Sequence, residues 1–304
     1  MDLAPDTPTA SLPAIEAELI AVIVAVSAGV ARVLTIEDGA TLPSGPFAQQ
    51  HRSLQSGLRA WVEAQTHHRL GYVEQLYTFA DQDRQARGRR VMSISYLGLA
   101  RETPGAAGWQ SWYRYFPWED RRAVEGHDPL PALVAALKTW AEQAEGTLRA
   151  ERCARIAINF AADGRGWNEE LVLQRYELLY EAGLVPEAGA MPDPALGTPM
   201  AHDHRRILAT GIARLRAKIK YRPVVFELMP PAFTLLDLQK SVEALAGRAL
   251  HKQNFRRLIE QQELVEETGG AVRETGGRPA KLFRFRRAVL AERAAAGTKL
   301  PLAR

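Results

Sequence analysis

The sequence is poor in cysteine, and this scarcity limits the classes of protein to which it can belong. One cysteine, Cys153, stands among 304 residues, so no disulfide can form within the chain. A chain without disulfides fits a reducing compartment, and the sequence therefore predicts a cytoplasmic protein. Because Cys153 precedes an apolar run at 156–160, we expect a buried, inert thiol there rather than a nucleophile.

Long hydrophobic runs are also missing. The uncharged segment 19–31 is too short for a membrane-spanning helix, which needs roughly 20 apolar residues. No lysine or arginine precedes it, so it lacks the positively charged start of a signal peptide. Its β-branched composition predicts a buried strand, and we expect no association with a membrane.

Positive charge is scarce in the first two thirds of the chain and concentrated in the last third. Residues 1–200 contain 18 Lys and Arg against 25 Asp and Glu, whereas residues 201–304 contain 21 against 10. This division of charge indicates that the two parts of the chain have different functions. The basic part is expected to meet nucleic-acid phosphates, because Lys and Arg that neutralise phosphates release condensed counterions.

The periodicity of apolar residues predicts a mixed α and β structure before residue 183. Predicted strands lie on either side of a hairpin turn at 27–29, and further strands are predicted at 72–79, 91–99 and 154–160. Predicted helices lie at 53–65, 133–148 and 168–182.

The organisation of the chain follows from these elements and from the shift in charge. We predict a flexible tail at 1–14, a first domain at 15–182, a Pro- and Gly-rich linker at 183–200, a DNA-binding domain at 201–290 and a tail at 291–304.

The last third has the pattern of a winged helix-turn-helix domain. An amphipathic helix at 202–220 is either its first core helix, an element that transmits or dimerises, or both. Thr234 and Asp237 form a capping box that opens a helix ended by Gly247.

A second helix at 251–262 has the pattern of a recognition helix, with Phe255, Leu258 and Ile259 predicted to be buried on one stripe. A basic hairpin around a Gly-rich tip follows as the wing. In its second strand Phe283 and Phe285 alternate with Arg284 and Arg286, which predicts one packed and one cationic face. Nine residues are predicted to contact double-stranded DNA: Thr234, His251, Lys252, Gln253, Asn254, Arg256, Arg257, Arg278 and Lys281.

Residues 45–67 resemble the Nudix hydrolase motif, G-x5-E-x7-R-E-U-x-E-E-x-G-U, in which U is a bulky apolar residue. Gly45 and Arg59 have the required separation, and Glu63 falls on the first member of the Glu pair. Five other positions of the motif have changed, to His51, Ala60, Ala64, Thr66 and His67. Hydrolysis of a diphosphate needs several carboxylates to hold divalent cations, so we expect no catalytic residue and no enzymatic activity.

The whole chain resembles the Nudix-related transcription regulators of NAD biosynthesis, in particular the NadQ-type regulators. The similarity lies in HDHRRILA at 202–209, KIKYRP at 218–223, FTL at 233–235, HKQNFRR at 251–257, GRPAKLFRF at 277–285 and QLYTF at 75–79. It implies an α+β protein, a Nudix-like α/β/α sandwich with a mixed sheet followed by a winged helix-turn-helix domain. It further implies a homodimer that represses NAD genes and responds to an effector nucleotide, namely ADP-ribose, NAD or ATP, with no other cofactor required.

Four residues are candidates for the nucleotide pocket. Arg59 and Arg90 would meet phosphate charge, and Tyr77 or Trp112 would stack on the base. Two simpler interpretations stay open: Arg59 braces the Nudix loop through Glu63, and the aromatic cluster at 105–128 is core. The histidine pairs at 67–68 and at 202 and 204 lack the spacing of a metal site, so we expect no metal.

Two other functions stay open at this point. A nucleotide pyrophosphohydrolase of the Nudix type would turn over substrate with a metal ion, and a non-specific nucleic-acid-binding module would ignore sequence and nucleotide alike.

Overall fold

The computed structural model describes residues 15–80, 85–86, 89–103, 105–122, 128–272, 279–286 and 288. The predicted tails at 1–14 and 291–304 lie outside them. The strands are β1 (Ile15–Ser27), β2 (Val30–Leu34), β3 (Ser44–Pro46), β4 (Tyr72–Phe79), β5 (Gln85–Ala86), β6 (Arg89–Leu99), β7 (Trp109–Ser111), β8 (Val265–Val272) and β9 (Ala280–Phe285). The helices are α1 (Leu54–Thr66), α2 (Leu130–Glu142), α3 (Gly146–Asn159), α4 (Val172–Glu181), α5 (His204–Ile219), α6 (Leu235–Ala246) and α7 (Lys252–Gln261).

In the part of the chain that the structure describes, seven strands form one mixed sheet. Its main order is β4-β6-β1-β2-β7, with β3 paired to β1 and β5 paired to β6. β1 and β6 run parallel, whereas β1 with β2 and β4 with β6 are antiparallel. The hairpin predicted at 27–29 and the strands predicted at 72–79 and 91–99 are thereby confirmed.

The uncharged segment predicted to be a buried strand is the centre of this sheet. In β1, Leu19, Ala21 and Ile23 pack with α1 residues, while the alternate residues Ile20 and Val22 pack in the larger core on the other face. Side chains along a strand point alternately to the two faces of a sheet, so both faces of β1 are covered. The predicted sandwich is confirmed.

Helix α5 lies on the face of the sheet opposite α1. At Gly211 it approaches β1 so closely that a Cβ atom would stand 2.8 Å from Val22 Cγ1. Arg206 of the same helix pairs with Glu177 of α4 at 2.9 Å. The predicted boundary at residue 201 puts α5 in the DNA-binding domain, and its packing is nevertheless on the sheet; we call β1–β7 with α1–α5 the sheet domain.

Substituting Gly211 tests this close approach. We expect Gly211→Ala to lower the free energy of unfolding by about 1–3 kcal/mol, because an added methyl group overpacks the α5–β1 contact. Gly166→Ala is the matched control, since a Cβ there meets nothing within 4 Å. Urea unfolding measures both, and equal stabilities would contradict the packing.

The strand predicted at 154–160 is wrong. These residues form the last turns of α3 and its C-cap, Phe160. Ile156, Ala157 and Phe160 are buried, while Ile158 is 51% exposed. The interpretation of Cys153 as a buried thiol is also wrong, because it lies on an exposed side of α3. The helix predicted at 133–148 is two helices, α2 and α3, separated by a turn.

The segment predicted as a linker, 183–200, contains two short 3-10 turns and contacts the sheet domain. Glu187 pairs with the buried Arg205 of α5 at 3.1 Å, and Leu196 and Met200 are buried. The boundaries of the domains remain a prediction.

Among the described residues, no helix combines the length and the apolar character that crossing a membrane requires.

Candidate functional site

The exposed face of α7 is the first component of the candidate site. The helix begins at Lys252 after His251, whose side chain makes no capping bond. The amides of the first turn therefore remain open to an anion, and the helix dipole adds a partial positive charge there. Six predicted DNA-contacting residues are exposed on or beside this helix: His251, Lys252, Gln253, Asn254, Arg256 and Arg257.

The opposite face of α7 packs on the domain through fewer residues than the sequence predicts. Phe255 and Ile259 are each 8% exposed, as expected. Leu258 is 52% exposed, so its predicted burial is wrong. The buried pair is four residues apart, which is one turn of helix and enough to fix one stripe against the core.

Helix α6 and the turn after it hold α7 in place. The predicted capping box is confirmed, with Thr234 Oγ accepting from the Asp237 amide at 3.1 Å and Asp237 accepting from the Thr234 amide at 2.9 Å. Gly247 ends α6, as predicted, and its backbone is in the left-handed conformation. Thr234, a predicted DNA contact, is 8% exposed and uses its hydroxyl in the cap.

The two strands β8 and β9 form the predicted wing. Three basic residues on or beside it form ion pairs with glutamates. Lys281 pairs with Glu267 at 2.7 Å, and Arg284 pairs with Glu266 at 2.7 Å. Arg286 pairs with Glu263 at 3.3 Å. The first two cations face carboxylates of the same hairpin, and the third pair lies at its base, just outside β8 and β9. The predicted contact Arg278 lies outside the described residues.

Two phenylalanines that precede α6, Phe226 and Phe233, hold the wing against the rest of the winged-helix domain. The rings of Phe226 and Phe285 stack with centroids 4.3 Å apart, and Phe233 and Phe283 exchange backbone hydrogen bonds. The packed face predicted for Phe283 and Phe285 is thereby confirmed, and Arg284 of the other face is exposed.

Helix α1 carries the remnant of the Nudix motif. Ser53 caps it, and Ala60, Glu63 and Ala64 are all exposed on its surface. Glu63 pairs with Arg69 at 2.9 Å. Within the described residues, no group of three or more His, Cys, Asp or Glu side chains is placed to hold a metal ion.

Arg59 braces the loop after α1, which is one of the two interpretations that the sequence left open, but its partners differ from the expected Glu63. Its guanidinium donates to the carbonyl oxygens of Leu70 and Gly71, between α1 and β4, instead of pairing with Glu63. Both carbonyls lie immediately before β4, which begins at Tyr72.

The other predicted pocket residues lie elsewhere. Tyr77 is 59% exposed. It lies five residues after Tyr72, the first residue of β4, and five residues of extended strand span about 17 Å. Arg90 is exposed and donates to the Ala80 carbonyl at 2.9 Å, beyond the end of β4. Trp112 is fully buried, so its ring is closed to a base in this conformation. The four residues do not converge on one pocket.

Sequence reasoning missed a buried charge cluster formed by Glu119, Arg175 and Arg216. Glu119 is 1% exposed and each arginine is 0% exposed, and both arginines bond to its carboxylate at 2.5 Å. Burial by itself raises the pKa of Glu119, and the two guanidinium groups outweigh burial, so its pKa lies below the ordinary value. A signal existed: Arg216 occupies a core position of α5, in step with Ile212, Leu215 and Ile219.

Comparisons with known proteins agree with this architecture. Residues 225–285 match the NrtR DNA-binding winged helix domain family. Over 93 residues, 31% of this chain, the chain is 41% identical to the ADPR responsive transcriptional repressor NtrR of Acinetobacter baylyi. The match spans 37% of that relative's length.

Two solved structures share the fold over nearly the whole chain. NrtR of Shewanella oneidensis complexed with a 27mer DNA matches with a TM-score of 0.52 and 20% identity, covering 90% of this chain and 95% of that one. A MutT/nudix family protein from Enterococcus faecalis matches with a TM-score of 0.51 and 16% identity, covering 93% and 90%. These likenesses confirm the predicted fold class, a Nudix-like domain followed by a winged helix.

Proposed function

We propose that this chain is a ligand-responsive transcription regulator of the NrtR type, because its winged helix matches the NrtR family and its fold is shared with a Nudix-related NrtR structure. It acts as a repressor of NAD biosynthesis genes, and its sheet domain senses an NAD-related nucleotide without cleaving it. The observation that carries the proposal is the exposed polar and basic face of α7 within an NrtR-type winged helix.

DNA recognition by α7 follows from its side chains. Asn and Gln can bond to an adenine edge in two places, and Arg can do the same with guanine, so the helix carries the means to read sequence. Lys252 and the open amides of the first turn suit a phosphate. The net charge of +11 over residues 201–304 favours the approach to DNA.

The effector is proposed from the remnant of the Nudix motif and from the relative's name. The Acinetobacter relative is described as responsive to ADPR, so ADP-ribose is the first nucleotide to test, before NAD and ATP. Operator half-sites are commonly read by symmetric dimers, and we propose that this chain acts as a homodimer. An effector must bind the DNA-competent and DNA-incompetent states with different affinities to change their populations.

Fluorescence anisotropy with labelled DNA tests the regulator. We expect the promoter duplex of an NAD-biosynthesis operon to bind tighter than a scrambled duplex at the same salt concentration, and one nucleotide to change that affinity. Equal affinity for both duplexes, unchanged by ADP-ribose, NAD and ATP, would contradict the proposal.

The competing function is hydrolysis of a nucleotide diphosphate. We expect no release of AMP from ADP-ribose with Mg²⁺, because Ala60 and Ala64 provide no oxygen ligand and Glu63 is paired with Arg69. Chromatography of the nucleotide after incubation measures it, with an authentic Nudix hydrolase as the positive control. Metal-dependent turnover that survives Glu63→Gln would point to contaminating enzyme, and turnover abolished by Glu63→Gln would establish the hydrolase instead.

A further inference from the structure

The carboxyl end of α6 is bonded to the sheet domain by several buried groups. Tyr113 donates its hydroxyl hydrogen to the Ala244 carbonyl at 2.6 Å, and Arg216 Nε donates to the Leu245 carbonyl at 2.8 Å. The Arg121 amide donates to the Gly247 carbonyl at 2.6 Å. Ala244 and Leu245 lie in the last turn of α6 and Gly247 caps it, and carbonyls at the end of a helix have no partner within the helix itself.

Glu119 brings the sheet domain into direct contact with the end of this helix. A Cβ atom on Gly247 would collide with the Glu119 carbonyl, so only glycine fits at this approach. The side chain of Glu119 holds Arg216, which reaches Leu245. We call Tyr113, Glu119, Arg121 and Arg216 the α6 anchor.

The recognition helix follows the end of α6 after a short turn. Within this turn the Leu250 amide donates to Glu243 of α6 at 2.8 Å, and Gln239 donates to the Leu250 carbonyl at 3.0 Å. The turn is therefore held by side chains of α6, and a displacement of the end of α6 is passed to α7.

The wing, in contrast to the end of α6, borders open space. A cleft of about 760 Å³ lies beside the wing, with the stacked Phe226 and Phe285 among its lining residues and Arg101 contributed by the sheet domain. The end of α6 is therefore fixed to the sheet domain by buried hydrogen bonds, whereas the wing lies beside an open cleft.

We propose that the α6 anchor is the joint through which the sheet domain sets the position of α7, and that Tyr113 is a positioning residue of that joint. The inference rests on the proposed function, since it requires a nucleotide that changes DNA affinity. A change in the segment 113–122 moves the donors that hold α6, and α7 moves with it. Two sites coupled through one bistable contact change each other's affinity by about 5- to 150-fold in typical cases.

Two tyrosine variants of the full chain provide a matched test. Tyr113→Phe removes the bond to α6 together with a long contact, at 3.5 Å, that the Tyr113 hydroxyl accepts from Arg216. Tyr115→Phe removes a buried bond of similar length, at 2.7 Å to the Gly39 carbonyl, that stays within the sheet domain. Thermal melting first establishes that both variants fold. The measured quantity is the ratio of the DNA dissociation constants with and without saturating ADP-ribose, NAD or ATP, by fluorescence anisotropy; direct calorimetric titration reports the affinity for nucleotide alone.

We expect the fold-change in DNA affinity caused by the nucleotide to become at least fivefold smaller in Tyr113→Phe, with unchanged nucleotide affinity in the absence of DNA, and to keep its wild-type value in Tyr115→Phe. A wild-type ratio in both variants, or an equal loss in both, overturns the joint while leaving the nucleotide-responsive regulator intact. A wild-type protein whose DNA affinity answers to none of the three nucleotides removes the proposed function, and the joint with it.

Discussion

We expect the double variant Arg256→Ala/Arg257→Ala to bind operator DNA about 100-fold more weakly than the wild-type protein. Both side chains are exposed on α7, and each arginine that contacts a base edge or a phosphate contributes roughly 1–3 kcal/mol. Fluorescence anisotropy at fixed salt measures the loss. Because the two residues lie on the solvent side of the helix, the variant should fold as the wild type does.

A second pair of arginines separates recognition from the loss of charge. Arg149→Ala/Arg165→Ala removes the same two charges from exposed positions of the sheet domain, and we expect its DNA affinity to stay within about threefold of wild type. If both double variants lose affinity equally, the effect belongs to net charge and α7 is not the recognition element. A salt titration adds detail, since each lost phosphate contact reduces the slope of log K against log salt by roughly 1.

Glu119→Gln is expected to lower the free energy of unfolding by about 3–5 kcal/mol, because it leaves Arg175 and Arg216 buried without a counter-charge. Both guanidinium groups are 0% exposed, so water cannot replace the carboxylate. Urea unfolding of the full chain measures the difference. Glu102→Gln is the control: its ion pair with Arg32 is partly exposed, and we expect a change of at most about 1 kcal/mol.

The effect of Glu119 depends on pH in a definite direction. Since its folded-state pKa lies below the ordinary value, the carboxylate stabilises the fold above about pH 4.5 and loses this effect as the pH falls through the folded-state pKa. The gap in stability between wild type and Glu119→Gln should therefore narrow below about pH 4. A gap that widens on acidification would contradict the assignment of the charge.

Features that depend on a few neighbouring residues, such as helix caps and exposed helix positions, were predicted correctly from the sequence. The capping box at Thr234 and Asp237, the glycine that ends α6 and the exposed residues of α7 all follow from short patterns, and the structure confirms them. At 154–160 a local rule failed. Apolar residues alternate there as in a strand, yet burial of Ile156, Ala157 and Phe160 follows the spacing of a helix.

The nucleotide pocket and the buried charges were beyond local reasoning. Trp112 has the composition of a stacking residue, and only its place in the core reveals that it is covered. Glu119, Arg175 and Arg216 come from three distant parts of the sequence, so no spacing brings them together. The pocket residues named from the sequence remain a prediction.

The ion pairs of the wing have a consequence for how DNA binding is expected to depend on ionic strength. Glu263, Glu266 and Glu267 act as built-in counterions, because each already neutralises a cation of the hairpin. A phosphate that approaches the wing competes with a carboxylate fixed to the same domain, and exchanging one for the other frees fewer ions into solution than an unpaired cation would. We therefore expect these three cations to add less to the ionic-strength dependence of DNA binding than the unpaired cations of α7 do.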